Sequence, residues 1–322
     1  MTKKILIILF ILTTGDLFSQ RIKIYNKSNS NLISENFKKI SIDSIGNIWI
    51  GTADYGLIKF DREEFVNFNN KNSVINGDYI MDLFVDKNDN IWASYSQPES
   101  GTVKFNGEKW IEFPNKNLRE LDFSGYPIVG DEKGNIYFCN IGSKEILKYD
   151  GQNSTKIVIP KEKGQNILAI DIDTLGNIAI GLTNGLILGS NGKWKTFTKE
   201  SSELRLGTVR EIKFMENGEL FIGYGGGLGD GGFSTLKNGK WQHFNKTNSI
   251  IPDHMVRDIE VDGFGNIWMA TNNGVFKIEN GRLFKPIFFR EGRWKNTIMD
   301  IEIDKNNIVW IATNFGLIKY EQ

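Results

Sequence analysis

A chain of 322 residues with one cysteine, Cys139, cannot be held together by disulfides. That thiol sits in the strand-like stretch FCN and reads as a small buried apolar residue rather than a reactive group. Only two histidines are present, His243 and His254, which excludes a multi-histidine zinc site. Charge of one sign is not in excess: Lys plus Arg and Asp plus Glu are 39 each, so no global field draws the molecule to nucleic acid or an anionic membrane. Prolines number six, and no Pro-rich linker, heptad pattern or long helical pattern interrupts the chain. Long hydrophobic runs are also missing. The run Ile5 to Leu12 is much shorter than the ~20 residues a spanning helix needs, so no stable membrane insertion is expected. With Lys3 and Lys4 before it and Ser19 after it, residues 1–20 read as a secretory signal peptide, and 21–322 as an exported domain of the periplasm or the extracellular space.

What the chain does have is one motif many times over. Gly265 to Thr271 reads GNIWMAT, and near copies begin at Gly46, Asp89, Gly134, Gly176, Gly218 and Asn307, spaced 42 to 47 residues apart. That period suits one four-stranded propeller blade, so the expected fold is an all-β, seven-bladed β-propeller of antiparallel blades. Each unit repeats the grammar seen from Val256 to Leu283: RDIEVD, a Gly/Asn turn, IWMAT, a loop, GVFKIE, then Asn280-Gly281 and RLF. The four strands are named a to d. Asn-Gly also precedes strand d at Asn106, Asn191 and Asn238, as positive φ in a tight hairpin demands. One position of strand b holds Trp49, Trp92, Tyr137, Ala179, Phe221, Trp268 and Trp310, rings suited to wedging between blades. Ala179 calls for a compensation or a looser contact in blade four. The last unit ends on a strand c, and Arg21 to Ser34 resembles the strand d of other units. Pairing of Arg21–Tyr25 with Gly316–Tyr320 is therefore expected to close the ring and remove two sheet edges.

Units such as VRDIEVDGFGNIWMATNNGVFKIENGRL and ISIDSIGNIWIGTADYGLIKF resemble two-component regulator propeller repeats, and the resemblance covers nearly all of Arg21 to Gln322. In that family such blades build the periplasmic sensing region of hybrid histidine kinases, often linked to polysaccharide uptake, and also occur in stand-alone secreted proteins. The resemblance implies binding without naming a ligand. The immunoglobulin-like module, second hydrophobic span and kinase of the receptor pattern have no counterpart in this sequence.

Ligands of propellers usually meet the face carrying the loops into strand a and those between b and c. Tyr55, Tyr95, Tyr126, Tyr224, His254, Trp294 and Phe315 fall there, with Arg257 deeper, and aromatic faces beside polar groups suit sugar rings or apolar side chains of a protein. The Gly-rich stretch Tyr224–Gly232 lacks the Lys-Ser/Thr of a phosphate loop and reads as a surface loop. Two columns align on the innermost strands: Lys39, Asp82, Pro127, Ala169, Glu211, Asp258, Asp300, and Ser41, Phe84, Val129, Asp171, Lys213, Glu260, Glu302. Their carboxylates suggest a cation site or acid–base chemistry, against internal pairing with the two lysines. The turn motifs DSIGN, DKNDN, DEKGN, DTLGN and DGFGN lack the downstream Glu of a calcium loop, so each Asp is expected to cap its own hairpin. No GxSxG elbow is present. The expectation is a monomeric, non-enzymatic recognition module for a glycan or protein, with no catalytic residue, metal or cofactor. The alternative is a propeller-type lyase or lactonase with a divalent metal among Asp82, Glu211, Asp258 and Asp300.

Overall fold

The computed structural model describes residues 21–113, 126–205, 207–225, 231–290 and 296–322; the expected signal peptide lies outside them. The described residues form seven sheets, each of four antiparallel strands, and include no helix. In blade six the strands are Val256–Val261, Ile267–Thr271, Gly274–Glu279 and Arg282–Leu283, in the order read from the repeat.

The closing blade is made from both ends of the described chain. Ile298–Ile303, Val309–Thr313 and Gly316–Glu321 are followed outward by Arg21–Tyr25, which pairs antiparallel with Ile22 opposite Tyr320 and Tyr25 opposite Leu317. Tyr25 then packs against blade one, with ring centroids 4.8 Å from Phe60 and 6.3 Å from Trp310. The expected closure is thus made by hydrogen bonds and rings, with no covalent link.

Blade contacts follow the strand-b column. Trp310 joins the apolar cluster of blade one, Trp49 that of blade two, Trp92 that of blade three and Trp268 that of blade seven, so each ring faces the next blade. Burying a ring between two sheets contributes several kcal/mol at ~25 cal/mol per Å2. Beside Ala179 the volume is made up by Leu188, Phe214 and Trp241, which pack on its cluster. The turn aspartates act as expected and do more. Asp43 accepts from the Asn47 N–H at 2.8 Å and from the Trp49 indole N–H at 3.1 Å. Asp86, Asp262 and Asp304 hold Trp92, Trp268 and Trp310 the same way, and Asp131 accepts from the Tyr137 hydroxyl at 3.0 Å.

Three of the four Asn-Gly pairs, at Asn191, Asn238 and Asn280, have positive φ at both residues. Asn106 departs from this: only Gly107 is positive there, and the Asn106 carboxamide oxygen accepts from the N–H groups of Glu108 and Lys109 instead.

Candidate functional site

The inner strands converge on a central channel of about 510 Å3. In six blades strand a is interrupted near its start by a register shift, between Phe37/Lys39, Ile80/Asp82, Ile167/Ala169, Val209/Glu211, Val256/Asp258 and Ile298/Asp300. Such a bulge inserts one residue and re-aims its side chain. The inserted residues are Lys38, Met81, Leu168, Arg210, Arg257 and Met299, and Tyr126 holds the matching place in blade three; all seven line the channel. They make a collar on the side where chains enter strand a, with three cations, one phenol and three apolar side chains.

Arg257 is half-buried and its Nε donates to Asn272 Oδ1 at 2.7 Å. Burial and the charge of Arg210 on the adjacent blade lower its pKa from the ordinary arginine value. Arg210 itself is exposed, and among the described residues no hydrogen bond or ion pair fixes its guanidinium. Lys38 Nζ lies 5.3 Å from the Tyr79 ring. The Tyr126 phenol is pushed up to about 12, first by burial and then by Asp82, so it stays protonated as a donor.

Below the collar the two polar columns meet as aligned, and most of their carboxylates are occupied. Asp82 Oδ2 accepts from the Ile128 N–H at 2.7 Å, Asp258 Oδ2 from Ile301 at 2.7 Å, Asp300 Oδ2 from Ile40 at 2.8 Å and Asp171 Oδ2 from Phe214 at 2.6 Å. Each bond crosses to the next blade. A carboxylate on one inner strand therefore satisfies a backbone donor that has no sheet partner, which stitches the ring around its axis. Lys39 Nζ pairs with Asp300 at 2.6 Å and Lys213 with Glu260 at 2.7 Å. Burial opposes the charge of Lys39, but Asp300, Asp258, Asp82 and Glu211 outweigh it and raise its pKa. Burial also raises the carboxyls of Asp82, Asp171, Glu260, Asp300 and Glu302, and with the charge of Asp258 pushes Glu211 up to about 8. Among the described residues no three His, Cys, Asp or Glu side chains gather closely enough to hold a metal ion.

The residues read from the sequence as a loop-face site divide. Tyr126 and Arg257 stand together in the collar. Tyr55 is 39% exposed on blade one, with Lys27 Nζ 5.8 Å from its ring. His254 is half-buried, and its carbonyl accepts from the Gly232 N–H at 2.6 Å. Tyr95, Tyr224 and Phe315 are buried, at 6%, 1% and 4% exposure, within the packing of blades two, five and seven. Tyr95 lies within its strand b, Ile91–Pro98, Tyr224 ends its own and Phe315 follows two residues after Thr313, and at each an inward-facing ring packs the blade. The guanidinium carbon of Arg290 covers Phe315, 3.9 Å from the ring centroid. Trp294 and the centre of the glycine loop, 226–230, are outside the described residues.

Tyr224 also belongs to a polar chain: its hydroxyl is 2.7 Å from Ser234 Oγ, which is 2.7 Å from His243 Nδ1. A serine beside a histidine invites a nucleophilic reading. Ser234 is fully buried, however, and shares its hydroxyl with Tyr224, so the trio anchors the blade-five loop.

The class defined by these features is a seven-bladed β-propeller with a polar channel, closed by its N-terminal strand. No protein-family model and no curated protein matches the chain. Solved structures share its fold. An extracellular domain of a putative hybrid two-component system from B. thetaiotaomicron superposes with a TM-score of 0.74 at 17% identity, over 93% of this chain and 41% of that one. Streptogramin B lyase matches with a TM-score of 0.73 at 15% identity, over 94% of this chain and 97% of that one. YCF48, solved bound to a peptide, matches with a TM-score of 0.68 at 12% identity, over 95% and 96%. The neighbours thus include an extracellular domain of the kind of two-component system whose repeats these units resemble, and at these identities the likeness is one of fold. No helix among the described residues is long and apolar enough to cross a membrane.

Proposed function

We propose that the chain is an exported, non-enzymatic recognition propeller that takes a glycan or a protein partner at the loop-face mouth of its channel, through an anionic group set beside an apolar face. The observation that carries this reading is the collar. Six bulges and Tyr126 bring Lys38, Arg210 and Arg257 into one ring with Met81, Leu168 and Met299, above carboxylates already committed to the scaffold. Guanidinium groups bind carboxylates or sulfates in forked geometry, while the phenol and methionines receive the CH face of a sugar or an apolar side chain. The sensor neighbours and the peptide-bound YCF48 support recognition as a use of this architecture.

A glycan array and a peptide library, each with anionic and neutral members, identify the ligand. Arg210→Ala and Arg257→Ala are then expected to weaken binding at least about tenfold each, as loss of a charge-assisted contact does, with little change in melting temperature. Tyr126→Ala should do the same. A ligand whose affinity ignores all three overturns the assignment. The whole-chain likeness to streptogramin B lyase favours an enzyme of the lyase or lactonase type as the second reading. Turnover of a lactone, lost in Asp258→Asn while the fold persists, would put that reading first.

A further inference from the structure

A second cavity, of about 810 Å3, opens on the opposite face, in the seam between blades five and six. Its origin is visible in the repeat. In blades one, two and six the seam residues form a set: an aspartate in the turn, a tryptophan hydrogen-bonded to it, and a lysine whose ammonium lies over the ring. The sets are Asp43, Trp49 and Lys59 at 5.8 Å, Asp86, Trp92 and Lys104 at 5.1 Å, and Asp262, Trp268 and Lys277 at 5.3 Å. Blade three keeps it with Tyr137, and in blade seven Arg62 of blade one supplies the cation over Trp310. Blade five has lost all three members together. Met215 replaces the acceptor, Phe221 the indole, and Thr235, which pairs with Phe221 as Lys277 pairs with Trp268, replaces the cation.

All three replacements line the cavity, whose floor is the ring series Phe221, Phe233 and Phe244 with centroids 6.0 Å and 4.6 Å apart. The rim is acidic. Glu219 reaches Lys237 only at 3.7 Å, Glu260 is engaged with Lys213, and Glu216 is exposed with no ion pair among the described residues. On the blade-six lip Phe264 is 72% exposed. The repeat here exchanges the indole for the smaller phenyl ring of Phe221 and leaves out the ammonium above it, which opens an aromatic floor with acidic edges.

We propose that this seam binds a small arylalkylammonium molecule, whose ring stacks on Phe221 in the space that the lysine side chain covers in other blades and whose ammonium faces Glu216 and Glu219. The cavity lies in the size range of small-molecule sites, and an ammonium desolvated over rings and carboxylates gains from both. The site is on the turn face and does not depend on the collar at the other mouth.

The probe is fluorotryptamine, followed by fluorine NMR on the full chain. Saturable binding to the wild type is expected, about fivefold tighter than that of neutral fluoroindole, the ratio a partly desolvated cation–π contact supplies. The triple variant Met215→Asp, Phe221→Trp, Thr235→Lys rebuilds the set found in the other blades, and should abolish binding while raising the melting temperature. Because three core changes risk misfolding, Glu216→Lys on the exposed turn serves as a second variant and should weaken binding at least about fivefold through like-charge repulsion. Arg257→Ala should leave the affinity unchanged. Absence of saturable binding to the wild type, equal affinity for fluoroindole, or wild-type affinity in a folded triple variant or in Glu216→Lys overturns the proposal.

Discussion

A buried indole must place its N–H, and four turn aspartates provide the acceptor. The sequence made half of this legible. The DxxGN turns and the ring column were each visible, but their bond links residues six apart across a hairpin, and only the folded pair shows that the turn residue serves the seam. Blades four and two test how much the bond matters. Asp86 caps its turn through the N–H groups of Asn88 and Asn90 and accepts from Trp92, whereas Asp173 caps through Leu175 and Asn177 but faces Ala179, which has no donor. Asp86→Ala is therefore expected to cost ~2–3 kcal/mol and Asp173→Ala about 1 kcal/mol less, the difference being one buried donor left unpaired. Denaturant unfolding of both variants measures it; equal losses would show that the indole bond contributes nothing net.

At the level of strands, the closing pair was readable because the last unit stops at a strand c and the first residues resemble the strand d it lacks, and Arg21–Tyr25 does pair with Gly316–Glu321. The bulges were not readable. A period of two along strand a aligned the columns beginning at Lys39 and Ser41, but an inserted residue breaks the alternation without changing the residue types around it. Alternation alone therefore does not place Lys38, Met81, Leu168, Arg210 and Met299 at the channel. Their one signal was positional: each stands just before a member of the first polar column. The same limit explains Tyr95 and Tyr224, whose rings strand b carries inward. The closing strand also packs on both faces, Ile24 on the cluster of blade seven and Tyr25 on that of blade one. Tyr25→Ala should thus cost ~3 kcal/mol in global stability, as buried aromatic truncations do, and should lower a single cooperative melting transition. A separate early transition would mean that the strand frays alone and the ring does not depend on it.

The ring as a whole gathers acid around its axis. The two columns carry seven carboxylates, Asp82, Asp171, Glu211, Asp258, Glu260, Asp300 and Glu302, against Lys39 and Lys213. Inter-blade hydrogen bonds and two ion pairs offset part of that charge, but among the described residues Glu211 accepts only from its own neighbour Ile212, at 3.1 Å. With its pKa raised from 4.5 to about 8, the folded chain holds a proton there that the unfolded chain has released. The native state therefore binds more protons in this window, and stability falls as pH rises from about 5 to about 8. The other raised carboxyls act with the same sign, whereas Lys39 and Lys213, whose pKa values are raised above 10.5, contribute stability that is lost only in stronger alkali. Glu211→Gln keeps the shape of the side chain and removes the titration. Its melting temperature should match the wild type near pH 5 and exceed it by pH 8, with a flatter profile between. A wild-type profile that does not decline over this range, or a Gln variant that declines as steeply, would show that the channel water solvates Glu211 well enough to cancel the burial that defines its environment.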